Sequence, residues 1–139
     1  MILLDTNVVS EPMKPAPAPA VLQWLDAQAP ESLYLSTISQ AELLAGVARL
    51  PSGKRKRGLQ DALAELLHAL FEGRILPFDS NAAEQFAKLI PHAQSRGTTI
   101  GFADGCIAAI AKTHRLAVAT RDGGAFRAAG LTVIDPWTD

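Results

Sequence analysis

The chain has 139 residues, 48% hydrophobic and 19% charged, with a formal net charge of −1. That length suits one domain, residues 1–139, with a real core. The near-zero charge excludes a binder that relies on a global basic field, so any nucleic-acid contact must come from a local patch.

The single cysteine, Cys106, excludes an internal disulfide, and no apolar run has the length of a membrane span. No basic segment precedes the apolar N-terminus, so no secretory signal is expected and the expected location is the cytoplasm.

The first element is a strand, Ile2–Leu4, that turns polar at once in Asp5, Thr6 and Asn7. A short apolar run ending in an acid reads as a buried strand with the acid at the sheet edge. In open parallel sheets, ligands bind in the crevice beyond the carboxyl ends of the strands. Residues 12–20, with alternating prolines, read as a stiff extended spacer. Residues 21–28 read as a short helix, and Leu33–Ser36 as the second strand. Residues 39–50 read as a helix opened by a capping box of Ser39 and Glu42. Gly46, one turn beyond Glu42, would leave room for close packing. Lys54-Arg55-Lys56-Arg57 is the one cationic run. It leads into a helix with an apolar stripe at Leu59, Leu63, Leu66, Leu67 and Leu70, the expected protruding piece.

Residues 75–78 read as the third strand, placed at a sheet edge by Pro77, which cannot donate to a ladder. Asp79 or Ser80 caps the next helix, with Ala83, Phe86, Ala87 and Ile90 inward and a break expected near Ile90 because of Pro91. Residues 104–114 read as a helix, 116–120 and 131–134 as the fourth and fifth strands, with a short helix between. Strands alternating with helices predict a three-layer α/β sandwich on a five-stranded parallel sheet.

Singly, the acids have ordinary readings: Asp5 and Asp104 as helix caps, Glu42 as half of a capping box, Asp122 as a turn residue before Gly123-Gly124. Together they are more telling. Asp5 and Asp122 each follow a predicted strand, Asp104 shares a helical face with Ile107, Ala108 and Ala111, and Glu42 lies near the start of the helix after strand two. Two unit charges about 4 Å apart cost about 4 kcal/mol at an effective dielectric of about 20. Such a cluster should hold protons or bind cations. Ligation by oxygen alone favours Mg²⁺ or Mn²⁺, which suits activation of a water against a phosphodiester.

The segments LLDTNVVSE (residues 3–11), SQAELLAGV (39–47), FADGCIAAIA (102–111) and ATRDGGAF (119–126) resemble, in order, those of PIN-domain ribonucleases, and among them VapC-type toxins. GRILPFD (73–79) and the ending DPWTD (135–139) strengthen the likeness toward one VapC-like branch. The resemblance covers essentially the whole chain. It implies strand order 3-2-1-4-5, and it places the family's four acids on Asp5, Glu42, Asp104 and Asp122 as catalytic metal ligands. Thr6, Asn7 and Thr120 fall on supporting positions. It implies a Mg²⁺-dependent (Mn²⁺ possible) endoribonuclease toxin, with an RNA substrate and an antitoxin that carries a ribbon-helix-helix DNA-binding domain, so that DNA is contacted only through the antitoxin. The alternative is a catalytically silent PIN-like protein acting as co-repressor with that antitoxin. Gly123-Gly124 departs from the usual texture after the last acid and is expected to loosen that loop.

Candidate RNA contacts are Arg49, Lys54, Arg55, Lys56, Arg57 and Arg121. His68, His92 and His114 have no carboxylate partner in register and read as surface or cap residues. Cys106 reads as core. The sequence shows no nucleophile–base pair and no phosphate loop. The amount of apolar helix face predicts a homodimer through residues 21–25 or 59–70.

Overall fold

The computed structural model describes residues 1–138; Asp139, the last residue of the DPWTD ending, lies outside them. Strand β1 (Ile2–Leu4) is central and pairs in parallel with β2 (Leu33–Ser36) and β4 (Ala117–Ala119). The edges are β3 (Ile75–Leu76) and β5 (Val133–Ile134), which gives the order 3-2-1-4-5. Pro77 falls just past the edge strand, where no ladder donor is needed.

The pleat of β1 divides the core in two. Leu3 points to one face, where it joins Val118 and the inner sides of α5 (Ser80–Ser95), α6 (Phe102–His114) and α7 (Gly124–Ala128). Leu4 points to the other, with Leu35, Ala119, Val8 of α1 (Thr6–Ser10), Val21 of α2 (Pro19–Ala27), Leu43 of α3 (Thr37–Ala48) and Phe71 of α4 (Lys54–Phe71). A strand buried on both faces reads as an unbroken apolar run, as ILL does.

Several local expectations are corrected. The five-residue helix α1 follows β1 directly; its β-branched TNVV composition hid it. The proline-rich stretch is not an extended spacer. Its start is a 3-10 turn, and the backbone N–H of Ala18 donates to Glu11 Oε2 at 2.9 Å, folding the segment back on itself. Helix α3 is capped not by Ser39 but by Ser36, whose hydroxyl accepts from the Ser39 N–H at 3.0 Å. Helix α5 runs through Pro91, which is solvent-exposed, as is Ala87, whose carbonyl loses its partner to the ring and can turn to water. Its buried stripe is Ala82, Leu89 and Ala93, with Phe86 and Ile90 half-buried; Ala83 and Ala87 face out. Helix α4 does not protrude but packs on α3 and β2, with Leu63 and Phe71 buried. The helix faces expected to be left over are largely used, since Val21 is fully buried and Trp24, Leu25, Leu59, Leu66, Leu67 and Leu70 pack against the second core.

Candidate active site

The register fixes what lies at the carboxyl edge of the sheet. Leu4 is level with Leu35 and Ala119, so the next residues, Asp5, Ser36 and Thr120, form one row. All three are buried polar groups, and Asp5 is only 7% exposed. The Asp5 N–H donates to Ala119 O at 2.9 Å, closing the ladder. Its carboxylate is then held on both oxygens: the Thr6 N–H donates to Oδ1 at 2.8 Å, and the Thr120 hydroxyl donates to Oδ2 at 2.7 Å. Thr120 Oγ1 in turn accepts the Asp122 N–H at 3.2 Å, tying the loop after β4 to the same centre.

The second acid is placed by hydroxyls. Thr6 Oγ1 lies 2.7 Å from Glu42 Oε1 and 3.0 Å from Ser39 Oγ. Its single proton goes to the carboxylate, which leaves Ser39 to donate to Thr6. Glu42 therefore serves this contact and not a capping box. Gly46 has no packing role, since a Cβ there would meet nothing within 4 Å.

Asp104 sits in the first turn of α6, after the N-cap Gly101. The glycine that close packing does require is Gly105, where an added Cβ would stand 2.8 Å from Phe86 Cε2. That approach seats α6 against α5 and sets Asp104 at the rim. The loop after Asp122 is not loosened: Gly123 is buried, its added Cβ would lie 2.7 Å from Val133 Cγ1, and Phe126 fills the core behind it.

Asp5, Thr6, Asn7, Ser10, Glu42, Asp104 and Asp122 line one open cavity of about 310 Å³. The four acids come from four separate stretches of chain. Burial, first, pushes the Asp5 carboxyl above its ordinary value despite the two hydrogen bonds, and the charges of Asp104 and Glu42 push it further. Asp104 is raised by burial and then by Glu42 and Asp122. Among the described residues no three acid, histidine or cysteine side chains stand close enough to share one ion as they are arranged. The carboxylates instead ring the cavity, the spacing that like charges favour. The donor set fits a hard divalent cation: every lining polar atom is oxygen or amide, and Asn7 Oδ1 is buried without a hydrogen-bond partner.

Ser10 and the Ser39–Thr6 relay escaped the sequence reading, Ser10 because α1 itself was missed. The candidate RNA contacts lie outside the cavity lining. Arg49 is the C-cap of α3, about 10 Å along the axis from Glu42. Lys54, Arg55 and Lys56 line a separate shallow groove with Pro51 and Gly53, where the Lys56 ammonium donates to Ala48 O at 2.9 Å; Arg57 is exposed on the same first turn of α4. Arg121 is exposed and stacks over Trp137, its guanidinium carbon 5.0 Å from the ring centroid.

A parallel sheet in this order, with acids gathered beyond the strand ends, is the architecture of a PIN domain. The PIN domain family model matches residues 2–131, and the chain belongs to that family. It is 51% identical to Toxin FitB of Neisseria gonorrhoeae over 139 residues, covering all of both chains. It is 53% identical over 138 residues to VapC ribonuclease Y4jK of Sinorhizobium fredii, covering 99% of this chain and 98% of that one. The crystal structure of FitAcB from Neisseria gonorrhoeae superposes with a TM-score of 0.96 at 50% identity over the full length of both chains. A structure of FitAB bound to an IR36 DNA fragment does so at 0.96 and 48%, covering 100% of this chain and 97% of that one.

Proposed function

We propose that the chain is a metal-dependent endoribonuclease toxin of the cytoplasm, paired with an antitoxin that silences it. The observation that carries this reading is the convergence of Asp5, Glu42, Asp104 and Asp122, from four segments, on one cavity at the carboxyl edge of the sheet. The relative named VapC ribonuclease, 53% identical, supports the chemistry. In this reading the four acids, with Asn7, hold Mg²⁺ or Mn²⁺. A divalent ion bound there lowers the pKa of water and neutralises charge on the phosphate and the leaving oxygen.

The chain's own residues do the positioning. Thr120 and the Thr6 N–H aim the two Asp5 oxygens, and the Thr6–Ser39 pair aims Glu42. The Thr120 hydroxyl also holds the backbone at Asp122. Arg49, Arg121 and residues 54–57 supply cations along the approach of an RNA strand. The antitoxin brings a ribbon-helix-helix domain, and an antitoxin Arg or Lys side chain would complement the acid cavity in place of metal. A homodimer would use the part of the residue 21–25 face left half-buried, Trp24 and Leu25, or the half-buried stripe of α4 within residues 59–70.

Purified chain is expected to cut total RNA with Mn²⁺ or Mg²⁺, to stop in chelator, and to lose activity on Asp5→Ala with the fold retained. Cleavage by Asp5→Ala at the wild-type rate would reject the assignment. The co-repressor reading draws on the 48% identical FitAB complex with DNA. It requires that the isolated chain with Mn²⁺ leave RNA intact, whereas the toxin reading requires cleavage that added antitoxin abolishes.

A further inference from the structure

The amino end of the sheet carries charge of the opposite sign. An open groove of about 480 Å³ there is lined by Lys112, Arg115, Leu131 and Thr132, among others. A smaller one of about 220 Å³ lies alongside, lined by Gln85, Lys88, His92 and, again, Lys112. No Asp or Glu lines either groove. The Lys112 and His92 side chains both reach over Gly130, with Nζ 3.3 Å and Nε2 3.8 Å from where a Cβ on that glycine would lie. A side chain at Gly130 would crowd them. The ion pairs among the described residues, Lys14–Glu11 and His68–Glu72, involve none of these cations.

The backbone supplies an independent observation. Arg115, at φ 57° and ψ 45°, is the only non-glycine residue with positive φ among the described residues; the other positions of that kind are glycines. It closes α6: its N–H donates to Lys112 O at 3.3 Å, and the Leu116 N–H donates to Ala111 O at 2.9 Å. This is the helix ending at which glycine is the default, because a β-carbon strains the left-handed conformation. Here an arginine is kept beside the groove despite that strain, and strained residues of this kind cluster at functional sites.

We propose that this groove binds phosphate esters, with Arg115 gripping one phosphate through its planar fork and Lys112, shared by both grooves, bridging to a second. Lys88 and His92 extend the track. The phosphate source is a nucleic-acid strand or a free nucleotide, which present the same chemistry. Strand β4, about 10 Å long, separates Ala117 at the groove from Thr120 at the acids, so the phosphate held here is not one being cut. The site therefore stands independently of the nuclease reading.

The test is binding by the full chain in chelator, which prevents any cleavage. The probes are a labelled 20-nucleotide RNA and a fluorescent ATP analogue, with inorganic phosphate as competitor. Lys112→Ser/Arg115→Gly is expected to weaken at least one probe about tenfold, and to flatten the RNA salt dependence by roughly 0.7 log unit for each phosphate released from the groove. Loss for RNA alone identifies a strand; loss for the ATP analogue identifies a free nucleotide. Arg115→Gly alone is expected to melt no lower than wild type while binding more weakly, which separates a ligand-binding defect from a folding defect. No binding of any probe by wild type, or a change under about twofold for all of them in the double variant, overturns the site.

Discussion

At the carboxyl end of the sheet, Asp5, Glu42, Asp104 and Asp122 surround a cavity with no Lys or Arg in its lining. At the amino end, Lys112 and Arg115 line a groove with no carboxylate. A net charge of −1 hides this local separation, because the totals nearly cancel while the fold gathers four acids around one cavity and Lys112 and Arg115 around another. The two ends are also built differently. Three of the four acid positions are wired: Asp5 to Thr6 and Thr120, Glu42 to Thr6, the Asp122 backbone to Thr120. The groove cations lack such ties: Arg115 is exposed, Lys112 is half-buried, and neither makes an ion pair among the described residues. A buried carboxylate such as Asp5, held by a hydroxyl and facing further acids, is expensive and needs a counter-ion to be worth keeping. Exposed cations need only a passing anion.

The acid end should be the easier to break. Glu42→Gln and Asp104→Asn, measured by single-turnover RNA cleavage, should each lose at least about 10²-fold. The pair should lose far less than the product of the two, because the acids act as a unit. Thr120→Val touches no substrate but removes the Asp5 hydrogen bond and the Asp122 anchor; its loss should be about 10–100-fold, partly recovered by Thr120→Ser. A smaller effect belongs to the wall that seats Asp104. Gly105→Ala pushes a Cβ to 2.8 Å from the Phe86 ring and should cost about 1–3 kcal/mol in urea unfolding, with lesser effect on cleavage by the folded fraction.

The smallest effect is a pH slope. The folded Asp5 and Asp104 values are raised above the ordinary 3.8. As pH rises from there through the folded values, the native chain retains protons that the unfolded chain has shed, so their contribution to stability falls with rising pH. Glu11 acts the other way. The Ala18 N–H, and then Lys14, hold its carboxyl below its ordinary 4.5, and its contribution is lost as pH falls through that lowered value. Melting in chelator should therefore show Asp5→Asn gaining on wild type as pH rises from about 4 to about 7.5. Asp5→Asn losing ground to wild type over that range would instead mean that the acids are already neutralised by cations within the protein.

The architecture was legible because each strand is a short apolar run followed at once by polar residues, and because helices alternate with strands throughout. Order 3-2-1-4-5 came through the family likeness and holds in the structure. What escaped was set by tertiary contact. Ser36 outcompeted Ser39 as cap because β2 ends on it, leaving Ser39 free for Thr6. Glu11 reached forward to Ala18 and closed a segment whose composition reads as extended. Pro91 was tolerated because the side of α5 it occupies faces water, which periodicity misplaced by one residue. Arg115 left no trace in composition, since nothing in the string HRL announces a left-handed backbone. At the acid site, the carboxylates could be named from sequence, but the hydroxyl relay could not, because hydrogen bonds such as Thr120 to Asp5 span 115 positions.

The most direct measurement is calorimetric titration of Mn²⁺ into wild-type chain and into Asp5→Asn at neutral pH, followed by melting of both. Wild type should bind, and at about 100 times the dissociation constant should gain about 2.7 kcal/mol of stability, while Asp5→Asn should show neither. Equal binding and equal stabilisation in the two proteins would contradict the claim that the convergent acids form one cation site.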